Sequence, residues 1–237
     1  MSVLAVIPAR YASSRFPGKP LVDIAGRPMI RMIYEQVLAC SEIDSVLVAT
    51  DDTRIRNAVE AFGGQVAMTS PECTSGTDRV AQAASGLDAE LIVNIQGDQV
   101  ILDLDAVSRL VIELKTGAGM ATIATDALPE DRDDSNCVKV VLDLKGYALY
   151  FSRAPIPFAC NQGHAEMFKH VGVYGFNRET LQRFTTIPPS PLERTESLEQ
   201  LRALENGIPI KVIIARGKFF EINTPEDREK FLKLWQR

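Results

Sequence analysis

Short apolar runs alternate with amphipathic stretches through the first half of the chain. The apolar runs predict strands at Val3–Pro8, Ser45–Thr50, Gln65–Met68 and Glu90–Ile95. The amphipathic stretches between them predict helices at Pro28–Cys40, Asp52–Phe62, Thr77–Ser85 and Asp103–Leu114. Alternating strands and helices are typical of a doubly wound, mainly parallel α/β sheet, Rossmann-like in its winding, in which ligands bind beyond the carboxyl ends of the strands. Asp51 is the predicted N-cap of the second helix, which Gly63-Gly64 would end.

The second half has a more mixed pattern, which predicts a smaller α/β lobe packed on the sheet. Its predicted strands are Cys137–Leu142, Tyr147–Phe151, Val171–Phe176, Ile210–Ala215 and Phe219–Ile222. Lys145-Gly146 favours a turn, and Leu192–Asn206 predicts one amphipathic helix that ends at Gly207. Thr224 is the predicted N-cap of the last helix, with Pro225 at its first position.

Charge and composition narrow the classes of function. The net charge is −5 without a long run of like charge, which disfavours general binding to nucleic acid or anionic membranes. The chain enters its first strand at once and has no apolar stretch near the roughly 20 residues that span a bilayer, so we expect a cytoplasmic protein. Four separated cysteines and two histidines disfavour a structural zinc site.

The loop after the first strand concentrates cations at the end of the sheet where ligands bind. Arg10, Arg15 and Lys19 are separated by small residues that let the backbone approach a ligand. This pattern predicts a triphosphate site, although the motif of a Walker A loop is absent. The alternative is a basic surface loop with a proline turn. The small residues are Ala12, Ser13, Ser14 and Gly18.

Asp98 follows the fourth predicted strand and lies beside Gly97. A carboxylate at the carboxyl end of a strand is a suitable Mg²⁺ ligand facing a triphosphate. The alternative is an aspartate that only forms a turn.

The motifs together resemble those of the 3-deoxy-manno-octulosonate (Kdo) cytidylyltransferases, or CMP-Kdo synthetases, of lipopolysaccharide synthesis. The resemblance covers nearly the whole chain. It rests on IPARYASSRFPGKPL (Ile7–Leu21), GRPMI (Gly26–Ile30), VATDD (Val48–Asp52), SGTDR (Ser75–Arg79), NIQGD (Asn94–Asp98), ALYFSR (Ala148–Arg153), KHVGVYGF (Lys169–Phe176) and SLEQLR (Ser197–Arg202). It implies the fold of nucleotide-diphospho-sugar transferases, Mg²⁺ as cofactor, CTP and an acidic sugar as substrates, and a homodimer. We expect a single domain, with residues 1–125 mainly binding nucleotide, 126–215 mainly forming the sugar-binding and dimerisation lobe, and 216–237 forming a return strand and C-terminal helix.

The resemblance also assigns site residues. The nucleotide would contact Pro8, Ala9, Arg10, Ser14, Arg15, Lys19, Ser75, Thr77, Arg79 and Gln96. The catalytic residues would be Arg15, Lys19 and Asp98. The sugar acid would contact Arg153, His170, Tyr174, Glu199 and Gln200. Arg153 suits planar recognition of a carboxylate. The alternatives are a core histidine at 170, a packing tyrosine at 174 and a solvated helix face at 199–200. No side chain stands out as a general base.

Three departures from the family pattern bear on function. Asn223 replaces a second metal-binding Asp in the EINTPED motif, and we expect Asn223 to be a weak ligand that Glu221 or a water bridge partly compensates. Cys73 replaces a common His and is expected to be a packing thiol, not a nucleophile. Gln99-Val100 replaces Glu-Pro, as in relatives that use 8-amino-3,8-dideoxy-manno-octulosonate. Three hypotheses therefore stay open: a Kdo enzyme, the same reaction on the amino sugar or another acidic sugar, and a catalytically weakened binding protein.

Overall fold

The computed structural model describes residues 1–12, 16–160 and 166–235. The strands are β1 (Val3–Ala9), β2 (Asp23–Ile24), β3 (Arg27–Pro28), β4 (Ser45–Thr50), β5 (Val66–Met68), β6 (Leu91–Asn94), β7 (Gln99–Ile101), β8 (Met120–Asp126), β9 (Lys139–Leu142), β10 (Ala148–Ser152), β11 (Phe168–Asn177), β12 (Ile210–Ile214) and β13 (Phe220–Glu221). The α-helices are α1 (Met29–Leu38), α2 (Thr53–Ala61), α3 (Gly76–Ala84), α4 (Leu104–Lys115), α5 (Arg178–Thr186), α6 (Pro191–Glu196), α7 (Gln200–Glu205) and α8 (Pro225–Trp235).

The main sheet confirms the predicted α/β class. β6, β1, β4 and β5 are neighbours and run parallel, as the alternating pattern predicts. The second half adds β11, which pairs antiparallel with β6 on one side and with β8 on the other. β8 in turn pairs parallel with β12, and the β9–β10 hairpin extends the sheet from the far end of β11.

Apolar side chains on both faces of the sheet form two cores. Along β1, Val3, Ala5 and Ile7 face one core, and Leu4 and Val6 face the other, as the period of a strand requires. Helices α1, α2, α4 and α8 contribute to the first core, and α3, α5 and α7 contribute to the second. The sheet is therefore covered by helices on both faces, which leaves its strand ends as the place for polar chemistry. Within the described residues, none of the helices is long and apolar enough to cross a bilayer.

A short ribbon returns the C-terminal segment to the end of β6. β7 pairs antiparallel with β13, with Glu221 opposite Gln99. The backbone N–H of Ile222 donates to the carbonyl oxygen of Asp98 at 3.0 Å. This pairing brings two segments that are far apart in sequence to the same strand end.

Two local predictions are wrong. The N-cap of α2 is Asp52, whose Oδ1 accepts from the N–H of Arg54 at 2.9 Å, whereas Asp51 pairs with Arg79. The helix predicted at Leu192–Asn206 is two helices, α6 and α7, because Ser197 adopts a left-handed backbone with φ of 53°.

Other local predictions are confirmed. Gly63, Gly146 and Gly207 have the positive φ values expected of turns and helix ends. The Thr224 hydroxyl accepts from the N–H of Asp227 at 3.2 Å, so Thr224 caps α8.

Candidate active site

The ends of β1 and β6 touch through their backbones. A Cβ atom at Gly97 would lie 2.7 Å from the carbonyl oxygen of Pro8, which is too close for any side chain. Only glycine therefore lets the chain after β6 pass the end of β1. Gln96 and Asp98 flank this crossing point, so each is held beside the loop that carries the predicted cations.

Lys19 reaches Asp98 across this junction. Gly18 adopts φ of 70°, and its carbonyl oxygen accepts from the N–H of Leu21. This bond closes a 3₁₀ turn over Lys19–Leu21. Lys19 Nζ lies 2.9 Å from Asp98 Oδ2, and both side chains are largely shielded from solvent. The basic loop and the acidic strand end therefore meet in one pocket.

The contact extends into a set that we call the charged network: Lys19, Asp98, Gln99, Glu221 and Asn223. Lys19 Nζ donates to Asn223 Oδ1 at 3.3 Å, and Asn223 Nδ2 donates to Glu221 Oε2 at 3.2 Å. Gln99 Nε2 donates to Glu221 Oε1 at 2.5 Å. Solvent reaches Glu221, yet the residue lies in a cleft crowded with protein atoms. This partial burial, together with the Asp98 carboxylate, raises the pKa of Glu221.

The charged network has the donor atoms that a hard divalent cation prefers. Asp98 and Asn223 both present side-chain oxygens to one positive group, the Lys19 ammonium. In the described part of the chain, no three His, Cys, Asp or Glu side chains converge to hold a metal by themselves. Mg²⁺ is usually held by one or two carboxylates together with substrate phosphates, so these residues fit that mode of binding.

The start of the basic loop is held by contacts with other segments and by one contact within the loop. Arg10 donates through Nη2 to the carbonyl oxygen of Cys73. Tyr11 packs over Gly18, where a Cβ would lie 3.2 Å from the phenol ring, and the guanidinium of Arg54 lies 3.3 Å from the centroid of the same ring. The predicted nucleotide contacts Ser14 and Arg15 lie outside the described residues.

The SGTDR segment forms the start of α3 and supplies structure as well as candidate ligands. The Ser75 hydroxyl accepts from the N–H of Asp78 at 3.0 Å, so it caps the helix. Arg79 is fully buried and donates to Thr69 Oγ1 and, at 2.9 Å, to Asp51 Oδ2. These partners make Arg79 a residue that ties α3 to the end of β4, and its predicted nucleotide contact stays a prediction.

A second set, which we call the polar pocket, comprises Thr77, Asn94, Gln96, His170, Tyr174 and Glu199. Thr77 Oγ1 donates to Glu199 Oε2 at 2.7 Å and accepts from Asn94 Nδ2 at 3.5 Å. Gln96 Nε2 donates to Asn94 Oδ1 at 3.3 Å. Burial raises the pKa of Glu199, whose Oε1 has no hydrogen-bond partner in the described part of the chain. Predicted nucleotide and sugar residues therefore share one hydrogen-bonded cluster.

His170 enters the polar pocket as a neutral ring of defined tautomer. Thr122 Oγ1 donates its hydrogen to the carbonyl oxygen of Val173 at 2.7 Å, at the bulge where the register of β11 shifts. Because that hydroxyl has one hydrogen, His170 Nε2, 3.0 Å from the same oxygen, must be the donor to it. Burial lowers the pKa of His170 to about 3. His170 Nδ1 is therefore left as an acceptor, a role available to bind a hydroxyl group.

Tyr174 lies beside His170, with ring centroids 5.4 Å apart, and its buried phenol has a raised pKa. The ring of Tyr174 also stacks on Phe176. Tyr174 is therefore a packing residue, as the alternative interpretation of the sequence predicts, as well as a candidate sugar contact. Gln200 is buried, and its Nε2 has no partner among the described residues, which argues against a solvated helix face.

Arg153 is engaged differently from its prediction as a carboxylate ligand. Its guanidinium donates to the carbonyl oxygens of Glu196, Ser135 and Ser197 at 2.8, 2.9 and 3.4 Å. In this arrangement Arg153 joins the end of β10 to the break between α6 and α7. Binding of the sugar carboxylate by Arg153 remains a prediction that would require these bonds to be exchanged.

Sequence reasoning missed two residues that shape the site. Asn94 is fully buried in an otherwise apolar central strand, and that polar interruption was an available signal. Thr122 is equally buried in β8, but a threonine in a strand is so ordinary that the sequence gives no sign of its bond to His170.

The sequence matches the cytidylyltransferase family model over residues 4–213. The chain belongs to the cytidylyltransferase family. It is thus a CTP-using nucleotidyltransferase, and the predicted enzyme class is confirmed. It is 47% identical to an 8-amino-3,8-dideoxy-manno-octulosonate cytidylyltransferase of Shewanella pealeana and 46% identical to a 3-deoxy-manno-octulosonate cytidylyltransferase of Syntrophotalea carbinolica, with 96% of each chain covered in both cases. The solved structure of CMP:2-keto-3-deoxy-manno-octonic acid synthetase complexed with CTP superposes with a TM-score of 0.96 at 39% identity, covering 100% of this chain and 99% of that one.

Proposed function

We propose that this cytidylyltransferase joins CTP to a 3-deoxy-manno-octulosonate acid, giving the CMP-sugar and pyrophosphate for lipopolysaccharide synthesis. The contact between Lys19 and Asp98 carries the proposal, because it creates a paired cation and anion at the strand end where nucleotides bind in such sheets. The full-length similarity to enzymes named for this reaction supports the choice of substrates.

The chain's own residues account for positioning and charge. In the proposed reaction Lys19 exchanges part of its contact with Asp98 for triphosphate oxygens, with Arg10 and Arg15 as further cations of the loop. Asp98 and Asn223 would hold Mg²⁺. A metal held there would supply positive charge to the reacting phosphates, while the sugar hydroxyl attacks the α-phosphate and pyrophosphate leaves. Direct transfer of this kind depends mainly on positioning and charge stabilisation, so no general base is assigned.

The polar pocket supplies hydrogen-bond acceptors and donors for sugar hydroxyls. Neutral His170 presents Nδ1 as an acceptor, and Gln200 has an unused buried N–H donor in the described part of the chain. A buried polar atom without a partner is costly, so a ligand that satisfies it gains affinity. Glu199, bonded to Thr77, is placed to accept a further hydroxyl through Oε1.

A second candidate keeps the reaction and changes the sugar to the 8-amino analogue. Gln99, the residue that departs from the common pattern, bonds directly to Glu221 at the edge of the charged network. Relatives named for the amino sugar and for the hydroxyl sugar are almost equally similar to this chain.

Oligomeric state and location complete the proposal. Leu144, Leu149 and Phe158 are exposed apolar side chains in the second half of the chain, and we propose that this half pairs two copies into a homodimer. Sedimentation velocity would report the mass directly. We also propose that the enzyme works in the cytoplasm, where CTP is available.

The decisive experiment is pyrophosphate release from purified protein mixed with CTP, Mg²⁺ and Kdo, with the CMP-sugar identified by mass spectrometry. We expect product with CTP and much less with UTP or ATP at equal concentration. If the protein binds CTP but releases no pyrophosphate from it with any tested sugar acid, the hypothesis of a catalytically weakened binding protein is supported instead.

A further inference from the structure

Strand β11 carries a bulge directly beside the polar pocket. Between Val171 and Tyr174, β11 advances three residues while its partner β8 advances one. A bulge of this kind leaves backbone groups outside the ladder, and a buried carbonyl oxygen there needs another partner. The Thr122 hydroxyl supplies it, because its Oγ1 lies 2.7 Å from the carbonyl oxygen of Val173. Thr122 therefore uses its one hydroxyl hydrogen inside the sheet.

The same hydroxyl determines which nitrogen of His170 carries the hydrogen. With its own hydrogen directed at Val173, Thr122 Oγ1 can only accept from His170 Nε2, which lies 3.0 Å away. Burial lowers the pKa of His170 to about 3, so the ring carries one hydrogen at neutral pH and Nδ1 is an acceptor. In the part of the chain that the structure describes, no hydrogen bond reaches Nδ1. This acceptor is therefore available to a ligand.

Two aromatic rings hold the His170 ring in its plane. The Phe151 ring lies edge-on to it, with centroids 5.0 Å apart and an interplanar angle of 76°. The Tyr174 ring lies on another side, with centroids 5.4 Å apart. Packing of this kind fixes the orientation of the ring but does not distinguish one ring nitrogen from the other. The choice of tautomer therefore depends on Thr122.

An acceptor of fixed direction recognises a hydroxyl group and rejects a group that cannot donate, because a buried acceptor is then left unpaired. We propose that Thr122 acts through His170 as a positioning residue: it sets the tautomer of that ring, and the pocket consequently selects a sugar acid whose facing hydroxyl donates a hydrogen. This inference rests on the proposed function, since the sugar is that of the proposed reaction.

The first measurement reads the tautomer without any substrate. NMR spectra of protein with isotope-labelled histidine report which ring nitrogen is protonated, and His170→Asn identifies the His170 signals, since the chain holds two histidines. Wild type should show the Nε2–H form. Thr122→Val removes the acceptor and should raise the share of the Nδ1–H form, whereas Thr122→Ser keeps the hydroxyl and should restore the wild-type spectrum. An Nδ1–H ring in wild type overturns the inference.

The second measurement tests selection, with Kdo and with Kdo analogues in which fluorine, which cannot donate, replaces one hydroxyl at a time. In wild type, one analogue should lose about tenfold to a hundredfold in kcat/KM relative to Kdo. Thr122→Val should reduce that penalty and raise KM for Kdo about three- to tenfold while KM for CTP stays unchanged. Thr122→Ser should behave as wild type. Thr125→Val, at a half-buried threonine of the same strand, is the matched control and should keep the wild-type ratios.

Further arms separate this role from folding and from the proposed function. Thermal unfolding checks that Thr122→Val is folded, and Thr122→Cys, whose thiol is a weak donor and acceptor, replaces it otherwise. The inference is overturned if wild type discriminates against none of the fluorinated analogues, or if Thr122→Val and Thr125→Val change the ratios equally. If wild type releases no pyrophosphate with any tested sugar acid, the proposed function fails and the selection fails with it, whereas the tautomer measurement still decides the part played by Thr122.

Discussion

The charged network and the polar pocket adjoin at residues 96–98 but are built in opposite ways. In the charged network, formal charges meet in a cleft that solvent reaches, and Lys19 and Asp98 are held on loops after strands. In the polar pocket, a neutral His170 and hydroxyl groups are fixed by bonds between strands of the sheet interior. The charged network suits ligands whose charge must be neutralised. The polar pocket suits a sugar whose hydroxyl groups are recognised and oriented by hydrogen bonds.

The largest loss of activity should come from a substitution in the charged network. Asp98→Asn keeps the shape of the side chain but removes the carboxylate that faces Lys19, so charge stabilisation of the reacting phosphates is lost. We expect kcat/KM to fall about a thousandfold in the pyrophosphate assay. Asp105→Asn, on the exposed face of α4, is the control and should retain wild-type activity. A fall of less than tenfold in Asp98→Asn would place the chemistry elsewhere.

A residue of the polar pocket should instead change how the free energy of unfolding depends on pH. Burial lowers the pKa of His170 from 6.5 to about 3, so the unfolded chain binds a proton more readily than the folded one between these values. The contribution of neutral His170 to the free energy of unfolding is complete above pH 6.5. It is lost as the pH falls from 6.5 towards 3. His170→Gln retains an N–H donor for Thr122 and does not titrate.

Urea unfolding at pH 7 and pH 5 measures this contribution. The free energy of unfolding should decline more in wild type than in His170→Gln, by about 1 kcal/mol, after allowing for the part of the ring that solvent reaches. Equal declines in the two proteins would mean that the folded histidine titrates normally and is not held neutral.

The smallest change in activity should come from adding a carboxylate to the charged network. Asn223→Asp supplies a second carboxylate beside Asp98, so half-saturation by Mg²⁺ should occur at a concentration lower by about three- to tenfold. A Mg²⁺ titration of pyrophosphate release gives the value. If the requirement for Mg²⁺ does not change, Asn223 is not a metal ligand.

The two regions also differ in how far the sequence predicts them. Lys19 and Asp98 follow predicted strands, and the parallel order of those strands brings them to one edge, so their meeting was predictable. The contact between Gln99 and Glu221 depends on pairing of β7 with β13, which are separated by more than half the chain. Local patterns carry no information on such a pairing.

The polar pocket was harder to predict from the sequence, because it depends on where β11 inserts into the sheet. Antiparallel insertion of β11 between β6 and β8 places Tyr174 opposite Asn94, and the register shift in β11 falls between His170 and Tyr174. The break at Ser197 escaped prediction for a related reason. A serine with positive φ is uncommon, so the local pattern favours one continuous helix through Ser197.

The crossing of Gly97 over Pro8 has a consequence for redesign. Because main chain meets main chain there, the spacing of the two backbones beside Asp98 is set by that steric contact and does not depend on side-chain rotamers. Neighbouring positions such as Gln96 and Gln99 are free of that constraint. New sugar preferences could therefore be engineered on either side of this fixed spacer while the alignment of the triphosphate stays as it is.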